Sequence, residues 1–180
     1  PAVPAENADV SWDDVVPVDV LALEVGYRLI PLVDKNQGGE LMSRIKAVRR
    51  KLTQDLGFLV PPVHIRDNLM LAPNAYRITV HDVPISEGEV HPGREMAINP
   101  GQVFGDLDGI LGKDPAFSLD TVWIDASQRE DAQAKGYTVV DCSTVIATHL
   151  SHTLKQHAYE LIGHDDVQKL LDTLARSAPK

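Results

Sequence analysis

The sequence predicts an α+β fold, and three observations carry that expectation. Short runs rich in valine, isoleucine and leucine recur between turn signals, as strands do. Longer segments carry apolar residues at helical spacing. The composition, 43% hydrophobic and 24% charged over 180 residues, is that of a globular chain with enough apolar material for one ordinary domain or two small ones.

Residues 1–19 hold Glu6, Asp9, Asp13, Asp14 and Asp19, no basic residue, and Pro1, Pro4 and Pro17. Such a stretch buries too little to offset its ordering entropy and reads as an acidic linker. Trp12 stands out within it, either incidental or an anchor for another surface. Val20 to Arg28 reads as a strand, with Gly26 marking a bulge, a close approach or a hinge. The clearest helix runs from Gly39 to Leu56, striped by Leu41, Ile45, Val48, Leu52 and Leu56, with Gly57 placed as a left-handed C-cap and Pro61-Pro62 barring continuation. Arg44, Lys46, Arg49, Arg50 and Lys51 cover its other faces, a solvated surface or a basic patch for an acidic partner.

Val63 to Arg66, Tyr76 to Val80 and Ile85 to Val90 read as strands of one sheet, with turns expected at Pro73-Asn74 and Glu87-Gly88. Arg94 to Ile98 reads as a further strand of that sheet, stopped by Asn99-Pro100-Gly101. Residues 102–119 read as a long connection. Val122 to Asp125 is a short strand, Ser127 to Lys135 a helix capped by Ser127, and Tyr137 to Val140 another strand. A helix over Ser143 to Ile162 carries the stripe Ile146, Leu150, Thr153, Leu154, His157 and Leu161, and Gly163 suits its C-cap. A last helix bears Val167, Leu170, Leu171 and Leu174 on one face.

The net charge of -9 and pI near 5.1 argue against nucleic acid as a partner and against an anionic membrane surface. The single Cys142 excludes an internal disulfide framework. No apolar run reaches the roughly 18 residues that a membrane helix needs. The chain opens at Pro1 without an initiator methionine and is expected to be a piece of a longer protein.

Catalytic constellations are thin. His149 and His152 lie three apart on a helix but lack an evident third metal ligand. Gln37-Gly38-Gly39 lacks the Lys-Ser/Thr of a phosphate loop. Cys142 and His149 offer a nucleophile and a base, the ingredients of a small α/β hydrolase, yet no nucleophile signature surrounds Cys142. No metal and no other cofactor is expected. Asp114-Pro115-Ala116-Phe117 is the more telling feature. Phe117 either staples its loop to the core or lines an apolar dimple for a docked partner.

Several blocks resemble the FlhA family of flagellar type III export gate proteins. They are Leu23-Glu24-Val25-Gly26-Tyr27-Arg28-Leu29-Ile30-Pro31-Leu32-Val33-Asp34, Pro62-Val63-His64-Ile65-Arg66-Asp67-Asn68, Ala97-Ile98-Asn99-Pro100-Gly101, Asp114-Pro115-Ala116-Phe117 and Ala147-Thr148-His149-Leu150, in family order. The resemblance implies a multispan membrane region elsewhere, then a linker and a cytoplasmic region of four subdomains that forms a nine-membered ring at the bacterial inner membrane. Residues 1–19 would be the linker, 20–92 with 142–161 a first subdomain, 93–141 a second inserted into it, and 162–180 the start of a truncated helical third. It further implies a non-enzymatic platform for export chaperones carrying late substrates, alongside other export components. Pro100, Asp114, Phe117 and Thr148 would form the docking site, and Trp12 with Asp9 and Asp14 would contact the next subunit. Gly26 is a candidate hinge, and Ser118 departs from the glycine usual in the family. A purely structural ring segment is the alternative non-catalytic reading.

Overall fold

The computed structural model describes residues 20–34 and 39–161, and two four-stranded sheets organise them. β1 (Leu21–Val25) leads through a 3-10 turn and the short α1 (Ile30–Val33) to α2 (Glu40–Leu56). β2 (Val63–Asp67), β3 (Ala75–Val80) and β4 (Val83–Glu89) complete the first sheet in the order β2-β1-β3-β4. β1 and β2 pair in parallel, and α2 lies in the crossover that such pairing requires. The second sheet, β6-β7-β5-β8, is antiparallel throughout. It comprises β5 (Glu95–Ile98), β6 (Ile110–Lys113), β7 (Asp120–Ile124) and β8 (Thr138–Val140), with α3 (Arg129–Ala134) between β7 and β8. α4 (Cys142–Gln156) then returns to α2 and ends in a 3-10 turn, Ala158–Leu161.

The main core gathers Leu21, Leu23 and Val25 of β1, Leu41, Ile45 and Leu52 of α2, and Val145, Ile146, Leu150 and Leu154 of α4. Each large aliphatic side chain buried there contributes roughly 1.5–3 kcal/mol. Met96 and Trp123 of the second sheet enter the same core. Their strand neighbours Ala97, Val122 and Ile124 face the other way, onto Ala132 of α3. That alternation follows from the two-residue period of a strand, so β5 and β7 are buried on both faces.

Several sequence expectations need correction. The first strand stops at Val25, because Gly26 begins the 3-10 turn. Glu87-Gly88 is no turn: both lie inside β4, and Gly88 sits opposite Tyr76, where a Cβ would strike the phenol. The turn is instead His81-Asp82, both left-handed (φ 49° and 63°), joining β3 and β4 by a two-residue hairpin. Arg94 to Ile98 does not extend the first sheet, since its strand, β5, pairs with β7 and β8. The long connection contains β6, a strand of four exposed residues. Asp125, not Ser127, caps the turn leading into α3, through a reciprocal capping box with Gln128. α4 ends at Gln156 rather than running on to Ile162. Gly57 is the left-handed cap of α2 (φ 79°), as its position predicts.

The acidic stretch with Trp12, Asp9 and Asp14, and the last helix with its leucine face, lie outside the described residues. Among the described residues, no helix is long and apolar enough to cross a membrane.

Gly26 is a close approach. Its φ of -69° is open to any residue, but a Cβ would press into the Ala72 carbonyl oxygen and lie 2.7 Å from that of Pro73. Its N–H donates to the Ala75 carbonyl (2.8 Å), which leaves little freedom to retreat. Gly26→Ala should therefore cost roughly 2–3 kcal/mol of folding stability. Urea unfolding of the variant checks this, and an unchanged midpoint would mean that the 72–75 turn yields easily.

Candidate functional site

α4 is placed by its cap and by one buried histidine. The Asp141 carboxylate accepts the Thr144 N–H (2.8 Å) and meets Arg44 of α2 (3.4 Å). Burial alone would raise the Asp141 pKa, but the Thr144 hydrogen bond and the charges of Arg44 and Arg129 outweigh it and hold the carboxyl below its ordinary value. About two turns beyond the cap, His149 is buried, with Nδ1 2.6 Å from the Tyr76 hydroxyl and Nε2 2.6 Å from that of Ser86. Both strands of the β3–β4 hairpin are thus tied to one face of α4. Burial pushes the His149 pKa down, the Asp114 charge pulls it back up, and His152 lowers it further. Burial, reinforced by the Asp114 charge, pushes the Tyr76 phenol up.

The outward side of α4 forms one wall of a groove of about 400 Å³. Small residues make that wall, Thr144, Ala147, Thr148 and Ser151, recurring at three- and four-residue spacing. Ala47 and Val48 of α2 face them, and Arg44, Lys51 and Lys155 stand on the rim. Phe117 closes one side, 59% exposed, its ring edge-on to His152 with centroids 5.1 Å apart.

Asp114 holds the loop that presents this ring. It is only 6% exposed, and its carboxylate accepts the Phe117 N–H (2.7 Å). The backbone closes the turn, with Ser118 N–H donating to the Asp114 carbonyl and Asp114 N–H donating to that of Leu119, both 2.8 Å. Ser118 is left-handed (φ 58°), a conformation in which glycine carries no penalty. The departure at this position is therefore a strained residue in an otherwise intact turn.

Phe117 and Thr148 come together at the groove, while Asp114 lies beneath the loop as its support. Pro100 does not join them: it is exposed in the Asn99-Pro100-Gly101 turn after β5 and is not among the groove's lining residues. Phe117 is an exposed residue and not a core staple. Reasoning from sequence missed Ala47, Ser151 and Lys155, and it placed Lys51 on a basic helix face and His152 in a histidine pair rather than at this groove, although small residues recurring along one side of α4 were a readable signal.

The hydrolase constellation is not assembled. The Cys142 thiol donates to the carbonyls of His91 (3.3 Å) and Arg94 (3.6 Å), and burial with the Asp141 charge pushes it up to about 12. A thiol so raised supplies almost no thiolate near neutrality. Both His149 nitrogens are engaged by hydroxyls, and His152 turns towards Phe117 instead.

The model of the FHIPEP family matches residues 2–180. The chain is 53% identical, over 96% of its length, to the flagellar biosynthesis protein FlhA of Proteus mirabilis, and spans 25% of that protein. Among solved structures, it resembles Chlamydia pneumoniae CdsV in its complex with CdsO, at 24% identity and a TM-score of 0.73, covering 93% of this chain and 53% of that one. It also resembles the nonameric cytosolic domain of EscV from the type III secretion system, at 14% identity and a TM-score of 0.57, covering 89% and 46%. At these identities, the structural likenesses speak for the fold alone.

The state of His149 gives a pH prediction. Its pKa is depressed below the ordinary 6.5 in the folded chain, so the unfolded chain binds the extra proton first. The stability that the neutral ring contributes is complete above 6.5 and is lost as pH falls towards the folded value. Urea unfolding between about pH 7.5 and 5.5 should show this slope. His149→Gln should be less stable at the upper pH and have a flatter slope. Equal slopes would mean that other groups carry the proton linkage.

Proposed function

Because this chain belongs to the FHIPEP family, we propose that it serves in the cytoplasmic part of a flagellar type III protein export gate, docking export chaperones loaded with their substrates. It spans about a quarter of the length of the curated relative, so activities of a whole gate, proton coupling among them, are not assigned to it. The observation that carries the docking reading is the exposed Phe117 ring, held by the buried Asp114 beside an apolar groove with a cationic rim. Large exposed aromatics in preformed apolar grooves are the usual anchors of protein interfaces.

In this reading, Phe117 and Thr148 touch the chaperone, Asp114 fixes the loop, and Pro100 lies at the outer margin. The first sheet with α2 and α4 makes one subdomain, 20–92 with 142–161, and the second sheet makes another, 93–141, inserted within it. Met96 and Trp123 join the two through a common core, which favours little relative motion at that junction. Residues 1–19 link to a membrane region, with Trp12, Asp9 and Asp14 contacting a neighbouring subunit, and 162–180 begin a third subdomain. The nonameric assembly of the EscV domain supports a ring for the complete protein, at the cytoplasmic face of the inner membrane.

Phe117→Ala separates the two roles that the residue could play. Truncating an interface anchor costs about 2 kcal/mol or more of binding, roughly thirtyfold in affinity. Truncating an exposed residue changes folding stability by only about 0.5 kcal/mol. Titration with a chaperone–substrate complex should therefore show lost binding at an unchanged melting temperature. Full binding by the variant would overturn the assignment.

A further inference from the structure

β6 is open along its outer side. It ends the second sheet and pairs with β7 alone. The Asp114 N–H, just past the strand, donates to the Leu119 carbonyl across that ladder. By antiparallel alternation, the N–H and C=O of Leu111 and Lys113 therefore point away from β7. No other described segment bonds to them. All four residues of the strand are exposed, Leu111 at 79%. Such an edge is a template for a further strand, and soluble proteins commonly blunt it with charge. The one charged residue of β6, Lys113, is already paired with Asp120. Gly112 adds a second sign. A Cβ there would meet only Thr121 Oγ1, at an ordinary 3.4 Å, so packing within the chain does not demand glycine. Glycine inside a strand often marks the close approach of another backbone.

A cavity flanks the edge on each face. Ile110 lies opposite Trp123, on the face turned to the main core. There a cleft of about 450 Å³ separates β6 from β4, with Glu87 and Glu89 in its wall. Leu111 lies opposite Val122, on the face turned to α3. There a second cavity, of about 460 Å³, is lined by Leu107, Tyr137, Asp106 and Asp120. Leu111 and Gly112 border both. Each cavity thus joins apolar surface to carboxylates. Among the described residues, Asp106 has no ion-pair partner and Glu89 has only His91, 3.7 Å away.

We propose that β6 accepts an extended, basic segment of a partner protein as a fifth strand of the second sheet. The partner's backbone pairs with Leu111 and Lys113, and its side chains, alternating between faces, enter the two cavities. Carboxylates on both faces select arginine or lysine, whose methylene stems cover Leu107 and Leu111. The net charge of -9 attracts the same segment at longer range. A second copy of this chain would set its own Asp106 and Asp120 against these carboxylates and is disfavoured. Phe117 lines neither cavity, since its ring lies against His152 of α4, so the edge and the α2–α4 groove fill independently.

The probe is a short fluorescein-labelled peptide with two consecutive arginines between valines, so that one arginine reaches each face, and binding is read by fluorescence anisotropy. Two further peptides carry N-methyl groups on alternate amides, one set in each register. Only the set that faces β6 should abolish binding, although charge is identical in both. Leu111→Pro removes an outward N–H without touching the β7 ladder and should weaken binding by about tenfold or more. Asp106→Asn with Glu89→Gln should weaken it several-fold. Phe117→Ala should bind the peptide as the parent does. Circular dichroism melts report whether each variant is folded, and the methylated pair decides the question without any variant. Equal binding of the two methylated peptides overturns the proposal, because charge alone would then hold the peptide. Parent-like binding by folded Leu111→Pro or by the carboxylate variant overturns it as well. Loss of binding in Phe117→Ala would place the peptide in the other groove, and dimerisation abolished by Leu111→Pro would make a second copy the occupant; either result overturns it.

Discussion

A single buried imidazole, gripped by two hydroxyls, fixes the helix on which the candidate docking groove depends. His149 meets Tyr76 on β3 and Ser86 on β4, so α4 is tied to both strands of one hairpin. Room for this clamp comes from Gly88, because any Cβ there would collide with the Tyr76 phenol. With its inner face committed, α4 turns Thr144, Ala147, Thr148 and Ser151 outward, and the gap between these small residues and α2 is the groove. The Arg44–Asp141 pair also links the two helices, but both partners are over a third exposed, so it adds little energy and mainly sets direction.

The second sheet brings the aromatic to that groove. Met96 and Trp123 lock it into the main core, and the 114–118 turn then reaches towards α4 with Phe117 at its tip. Asp114 links this turn to the clamp electrostatically as well, since its charge acts on both Tyr76 and His149. Support and exposure are thus divided within one short turn: a buried carboxylate holds the loop, and the ring three positions later stands exposed beside the groove.

Periodic and punctuating residues made much of this architecture legible in the sequence. The α2 stripe, Gly57 as its cap and Asn99-Pro100-Gly101 as a turn all express local physics that needs no tertiary partner. What sequence could not reveal depended on contacts across the fold. Gly88 carries the mark of a turn residue, yet its reason for being glycine is the tyrosine on the next strand. His81-Asp82 lacks the glycine that usually announces a two-residue hairpin. β6 has no buried face, so no alternating pattern betrays it. At the site, family resemblance marked Asp114, Phe117 and Thr148, but only geometry distinguishes the supporting residue from the exposed ones and leaves Pro100 apart.

Hydrogen–deuterium exchange with and without a chaperone–substrate complex tests the central claim most directly. Docking in the α2–α4 groove should slow exchange in the 114–118 turn and along the outward residues of α4, Thr144 to Lys155, while β6 and the 68–74 turn stay unchanged. Protection confined to β6 or the 68–74 turn, with α4 and the Phe117 loop exchanging as in the free chain, would contradict it.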